Sequence, residues 1–285
     1  MSRRLSIGAR AALAVLSASL FVGGCTTNPA TGKPMPIFIS QDQEIAMGVE
    51  AAPKFEEEFG GRVPNEQLLA YVRMVGNKLA AVSDRQMPYE YTLVKSDVPN
   101  AFALPGGKIF VTAGLMRLMS NERQLAAVLG HETAHVAAMH NVMGMQRQMG
   151  TALLIKIAGS MAGENAGAAE AVTEVVATMA SMSYSRKDEL EADKYGMEYM
   201  TRAGYNPWGM VELLTVLLNL KESEPGMLDQ LFSSHPASGE RIADAKGMIE
   251  TDDAYAGFTS TERDPDTDRF AQMHKLLIET VGAGE

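Results

Sequence analysis

The stretch His131-Glu132-Thr133-Ala134-His135 constrains this chain more tightly than any other. On a helix, positions i and i+4 lie one above the other on the same face, so both imidazoles can close on one divalent ion. The glutamate beside them can then reach a water polarised by that ion and accept its proton. The chemistry requires a helix, and the surrounding sequence provides one. Asn121 with Gln124 opens a run in which Leu125, Val128 and Leu129 recur at helical spacing, predicted to continue through His140.

A catalytic zinc usually takes three protein ligands and leaves one position for water. Acids that could complete such a set cluster downstream, between Ser185 and Asp193. Glu189 and Asp193 are again i and i+4, so both face one side of their helix. One carboxylate can bind a metal while the other orients a histidine from behind. Glu191 lies about 200° around the helix from Glu189; with Asp188 it fits a solvated face. His140 is rotated by about 140° from His135, off the metal face, and is assigned to packing or capping. Two imidazoles and a carboxylate favour Zn²⁺.

The N-terminus reads separately from the rest. Arg3, Arg4 and Arg10 precede an uncharged run from Ala11 to Val22, and small residues lead to Cys25, the only cysteine. Residues 1–24 are expected to be a bacterial lipoprotein signal, with Cys25 lipidated; an exported chain would otherwise carry a stray thiol. Thr26 stands where an aspartate would signal inner-membrane retention, which points to the periplasmic face of the outer membrane. Residues 25–39, rich in Pro, Thr and Gly, are expected to be the tether, 40–250 the main domain and 251–285 a C-terminal helical extension. Without residues 1–24, which hold three arginines and no acid, 22 basic residues face 35 acidic ones, a net charge of −13. So acidic a chain is a poor binder of phosphate backbones, and nucleic-acid function is disfavoured.

Tyr89–Val94 alternates like a strand. Asn100–Thr112 reads as two short strands around Gly106-Gly107, with Pro105 confining one to an edge where an extended peptide could pair. Helices are expected from Ser40 toward Phe59, over 65–82, 187–203, 207–222 and 267–281, and a helical hairpin within 143–183 turns at 163–167. The fold class is therefore α+β and mostly helical, with an active-site helix packed on a small sheet.

Several segments occur in the order of one known family: Asn100–Gly107, Asn121–Gly130, the His131–His135 motif with His140, Ser185–Asp193, Ala203–Pro207, and Ser234-His235-Pro236 with Arg241. Over roughly residues 40–250 the chain resembles the HtpX-like and CAAX-prenyl-protease-like zinc metallopeptidases (gluzincins), especially their soluble, exported lipoprotein branch. The resemblance implies a zincin-like fold, with His131, His135 and Glu189 on zinc, Glu132 as the catalytic base and Asp193 supporting from behind. It implies that His235, which its own surroundings suggest is a loop residue, approaches the metal to cap it or to assist catalysis. Arg241 could pair with an acid near the site or stabilise an oxyanion. The expected activity is hydrolysis of peptide bonds in misfolded or unassembled envelope proteins. The alternative is a metal-bound periplasmic chaperone or assembly factor with weak or latent proteolysis. A branch that carries a long C-terminal tetratricopeptide domain is a poorer match, because few residues follow position 250.

Overall fold

The computed structural model describes residues 25–161, 168–224, 226–236, 238–262 and 265–282. The expected signal segment and the expected turn of the helical hairpin at 163–167 lie outside the described residues. The chain opens with a two-stranded antiparallel ribbon, β1 (Cys25–Thr27) and β2 (Pro34–Pro36), in the stretch expected to be a tether. This stretch also touches the body. Asn28 donates from Nδ2 to the carbonyl of Ala138, and Ile37 and Ile39 are buried.

Two helices follow, α1 (Gln41–Glu58) and α2 (Glu66–Ala80). Ser40 and Gln43 form a capping box at the expected start of α1, and Asn65 caps α2 through its side chain. A three-stranded sheet comes next, built from β3 (Glu90–Val94), β4 (Ala101–Leu104) and β5 (Lys108–Thr112) in the order β3-β5-β4. β3 runs parallel to β5 and β4 antiparallel to it, so β4 is an edge strand as Pro105 suggested. The β4–β5 turn needs Gly106 at φ +72°, where an added Cβ would lie 2.8 Å from Ile45 Cα in α1.

Alternation along the strands sends side chains into two apolar clusters. Tyr91, Leu93, Ala103, Ile109 and Val111 face the larger one, shared with α2 and the helices that follow the sheet. Val94, Phe102, Leu104 and Phe110 face a second, where Phe55 of α1 and Phe59 just after it pack on each other and against Phe102 and Phe110 with ring centroids 4.6–5.0 Å apart. Both faces of the sheet are therefore covered.

After α3 (Ala113–Arg117) comes α4 (Glu122–Ala137), in which every residue is buried. A helix buried all round is a central strut rather than an amphipathic surface element. α5 (His140–Met149), α6 (Thr151–Met161) and α7 (Ala168–Ser181) return to α1 and complete the second cluster with Leu154, Ile157, Val175 and Met179. α8 (Arg186–Arg202) and α9 (Trp208–Ser223) pack on α4; α10 (Asp229–Ser234) follows, and α11 (Gly239–Thr251) packs on α8 and α9. α12 (Thr267–Val281) lies against α2, α3 and α4, burying Phe270 and Leu277, and Arg269 pairs with the buried Glu122 at the start of α4. The architecture is the expected mostly helical α+β, zincin-like one. Among the described residues no helix is long and apolar enough to cross a membrane.

One local expectation fails. The helix predicted through His140 stops at Ala137, and Met139 takes φ +59°, the left-handed region. Among the described residues it is the only non-glycine there. Nothing in the apolar spacing marks this break, because α5 resumes a helical pattern one residue later.

Candidate metal centre

α4 and α8 cross where each helix has a glycine, Gly130 and Gly196. A Cβ on Gly196 would lie 3.0 Å from the backbone nitrogen of His131, and one on Gly130 would lie 3.1 Å from the carbonyl oxygen of Gly196. This close approach brings the i, i+4 pair of α8 directly behind the i, i+4 pair of α4. His131, Glu132, His135, Glu189, Asp193, His235 and Arg241 are thereby gathered into one buried cluster.

Within it, one ligand-type atom each from His131, His135, Glu189 and His235 lies within 4.8 Å of all the others. His131 Nε2 is 3.0 Å from His135 Nε2 and 3.3 Å from His235 Nδ1. Glu189 Oε1 is 3.3 Å from His135 Nε2 and 3.0 Å from His235 Nδ1. Donors bound at zinc distances in a tetrahedron stand about 3.3–3.4 Å apart. The observed separations fit that spacing, and two histidine nitrogens aimed at each other have little other reason to converge. The donor set suits a divalent ion.

Behind the cluster the charges are locked. Asp193 Oδ1 accepts from His131 Nδ1 at 2.9 Å, which leaves His131 Nε2 free to face the cluster. Arg241 grips Asp193 with two hydrogen bonds of 2.7 Å, and its Nη1 lies 2.5 Å from Glu189 Oε2, a charge contact without hydrogen-bond alignment. Arg241 therefore pairs with acids behind the cluster, one of the two roles the sequence left open.

The two buried glutamates respond in opposite directions. Burial pushes Glu189 up, but His235, His131 and Arg241 overcome this and hold it well below the usual carboxylate range. Burial also pushes Glu132 up, and there His235 and His131 offset only part of the effect, so it stays raised. Glu132 Oε2 is buried with no hydrogen-bond partner, while its Oε1 lies 3.7 Å from His235 Nε2. Burial drives His135 well below its ordinary value, with Glu189 countering part of that. His235 is raised: burial opposes its charge, but Glu189 and Glu132 outweigh it. His235 follows α10 and is 6% exposed, so it sits in the fourth position of the cluster rather than in an open loop.

Three groups belong to this site that sequence reasoning did not place there. Tyr184 stacks on His135 with centroids 3.9 Å apart, and its backbone N–H donates to the carbonyl of Ser234, tying it to the His235 segment. It precedes the helix cap Ser185 and carries no periodic signal. His140, expected off the metal face, contacts His135 Nδ1 at 3.1 Å because the Met139 break turns it back. Glu191, expected on a solvated face, lies 3.4 Å from His140 Nε2. Beside His131, Glu132 and His235 is a small cavity of about 40 Å³ walled by Val128, Leu213, Leu214, Leu217, Leu231 and Phe232.

Residues 66–249, more than half of the chain, match the sequence pattern of Peptidase family M48. The chain is 30% identical over 242 residues to the beta-barrel assembly-enhancing protease of Escherichia coli K12, covering 80% of this chain and 48% of that protein. It is 30% identical over 227 residues to the mitochondrial metalloendopeptidase OMA1 of Schizosaccharomyces pombe, covering 76% of this chain and 66% of that one. It is 26% identical over 252 residues to the metalloprotease LoiP of Escherichia coli K12, covering 85% and 98%. The chain thus spans about half the length of the beta-barrel assembly-enhancing proteases it matches. A buried His/Glu cluster with metal-ligand spacing and a matched domain agree: the chain belongs to Peptidase family M48.

Proposed function

We propose that this chain is a zinc-dependent endopeptidase of the bacterial cell envelope that cuts misfolded or unassembled envelope proteins. The observation that carries the reading is Glu132: a buried carboxylate of raised pKa, with one oxygen unpartnered, beside four convergent donor atoms. A metal site serving structure alone has no use for such a group. The same observation weighs against a non-proteolytic assembly factor.

In this reading His131, His135 and Glu189 hold the zinc, which supplies an activated water and polarises the scissile carbonyl. Asp193, fixed by Arg241, keeps the His131 ring in its metal-facing tautomer. Glu132 takes the proton of the attacking water and later returns it to the leaving amine, a task suited to a carboxyl that burial raises above its ordinary value. β4 is an edge strand whose start, Ala101, borders the cavity beside Glu132, so an extended substrate that displaces what now covers the edge would pair there. The small cavity, walled by apolar side chains, takes an apolar substrate side chain next to the cut. His235 occupies the fourth position in a resting arrangement and swings away when water and substrate enter.

Residues 1–24 act as the export signal and Cys25 carries the lipid, holding the domain at the periplasmic face of the outer membrane. Cys25→Ala should abolish labelling by an acyl donor. The activity is tested with purified protein lacking residues 1–24, offered casein or an unfolded outer-membrane protein with and without chelator, beside Glu132→Gln. Cleavage that chelator removes and zinc restores, and that Glu132→Gln lacks, is expected. Chelator-insensitive cleavage, or equal cleavage by the mutant, would refute the mechanism.

A further inference from the structure

The two histidines of the α4 motif are supported from behind by different means. His131 meets a carboxylate directly, at Asp193. His135 meets no carboxylate at its Nδ1; it meets His140 Nδ1 at 3.1 Å, and His140 Nε2 lies 3.4 Å from Glu191 Oε2 and 3.9 Å from Asp188 Oδ1. Two ring nitrogens in contact need one proton between them, so the orientation of the whole chain of groups is set at its far end. If His140 carries its proton on Nε2, it donates toward Glu191, its Nδ1 accepts from His135, and His135 Nε2 presents a lone pair to the cluster. The reverse arrangement would set a His140 lone pair against two carboxylates and point an N–H of His135 at the other donors. The acids on α8 therefore select the tautomer of His135 through His140.

The backbone departs from its easiest path to achieve this. Met139 is held in the left-handed region, a conformation that costs a non-glycine residue about 1–2 kcal/mol. Two side chains secure the turn: Asn28 donates to the carbonyl of Ala138 and Arg85 to that of Val136, satisfying two carbonyls at the C-terminal end of α4. A continuous helix would carry His140 about 140° away from His135. The break instead brings the two rings edge to face, with centroids 5.1 Å apart.

We propose that His140, oriented by Glu191, is a positioning residue that fixes the tautomer and tilt of His135 for metal binding. This rests on the metallopeptidase reading of the cluster and adds a relay that the motif itself does not contain. Binding of zinc to the metal-free protein, read by competition with a chromophoric chelator, tests it without reference to catalysis. His140→Leu, which keeps bulk and removes the acceptor, should weaken zinc binding by about 10–100-fold. His140→Asn should recover most of that loss, because its Oδ1 can accept from His135 Nδ1. Glu191→Leu, at a partly exposed position, should give a smaller loss. Wild-type affinity in His140→Leu overturns the proposal, as does an equal loss in the Leu and Asn variants, which would indicate packing alone. Should the His140 variants fail to fold, unchanged zinc binding in Glu191→Leu overturns it. A wild-type protein that binds no zinc would defeat the metallopeptidase reading itself, a result distinct from any of these.

Discussion

Glu132 and Glu189 are the same side chain at the same depth, 2% and 0% exposed, on opposite sides of one cluster. On the Glu189 side, Arg241 and two imidazoles stabilise the charge enough to reverse the effect of burial. On the Glu132 side stands the apolar wall of the cavity; His235, 3.7 Å away, and His131 make no hydrogen bond to its carboxylate and offset only part of the effect, so burial prevails. Burial alone therefore does not decide what a carboxylate can do here; the nearest cation does. Glu189 is held as a permanent anion, suited to a ligand, and Glu132 as a group that can take and release a proton.

The sharpest way to break this contrast is to neutralise each acid in turn. Glu132→Gln should lower peptide hydrolysis by about 10²–10⁴-fold while zinc content, measured by atomic absorption, stays at the wild-type level. Glu189→Gln should lose the zinc and the activity together. If both variants retain zinc, or both lose it, the two carboxylates do not have separate roles.

The next largest effect concerns the source of the difference. Arg241→Leu removes the cation that pairs Asp193 and approaches Glu189, leaving two buried acids without their main partner. Breaking such a buried pair costs about 3–5 kcal/mol, so the metal-free variant should melt well below wild type. Zinc binding partly neutralises Glu189, and the gap between the two proteins should narrow when the ion is added. A gap that does not change with zinc would place the loss in packing rather than in charge.

How much of this was legible in the sequence follows from which interactions are local. The i, i+4 pairs His131/His135 and Glu189/Asp193 are properties of helix geometry, and both are realised. The helix starts expected at Ser40, Asn65 and Asn121 were likewise local, and each of those side chains caps its helix. What the sequence did not disclose depends on a single backbone torsion or on the meeting of distant segments. His140 reaches His135 only because Met139 turns back, and no residue preference announces a left-handed methionine. Glu191 appeared solvent-facing from its angle on α8, yet Lys33 of the N-terminal ribbon and His140 both cover it. Tyr184 and His235 come together through one backbone hydrogen bond between segments far apart in the chain.

His235 stands between the two acids and offers a subtler test, since its Nδ1 contacts Glu189 and its Nε2 faces Glu132. If it covers the fourth position at rest, His235→Ala should bind zinc several-fold more weakly and yet turn over substrate several-fold faster at saturating zinc. A loss of turnover as deep as that of Glu132→Gln would instead make His235 a participant in the reaction.

The smallest effect lies in the apolar wall on the Glu132 side. Val128 sits one turn before Glu132 on α4 and lines the cavity, so a substrate side chain placed there would touch it while its carbonyl approaches the base. Small changes in an apolar pocket shift discrimination by about 1–3 kcal/mol per methylene. Val128→Ala should therefore raise kcat/KM for peptides with Phe next to the cut relative to those with Leu, by about 10-fold. The ratio is insensitive to any common loss of folded enzyme, because both substrates meet the same protein. An unchanged ratio would mean that this cavity does not receive the substrate, and that the low polarity around Glu132 serves only to raise its pKa.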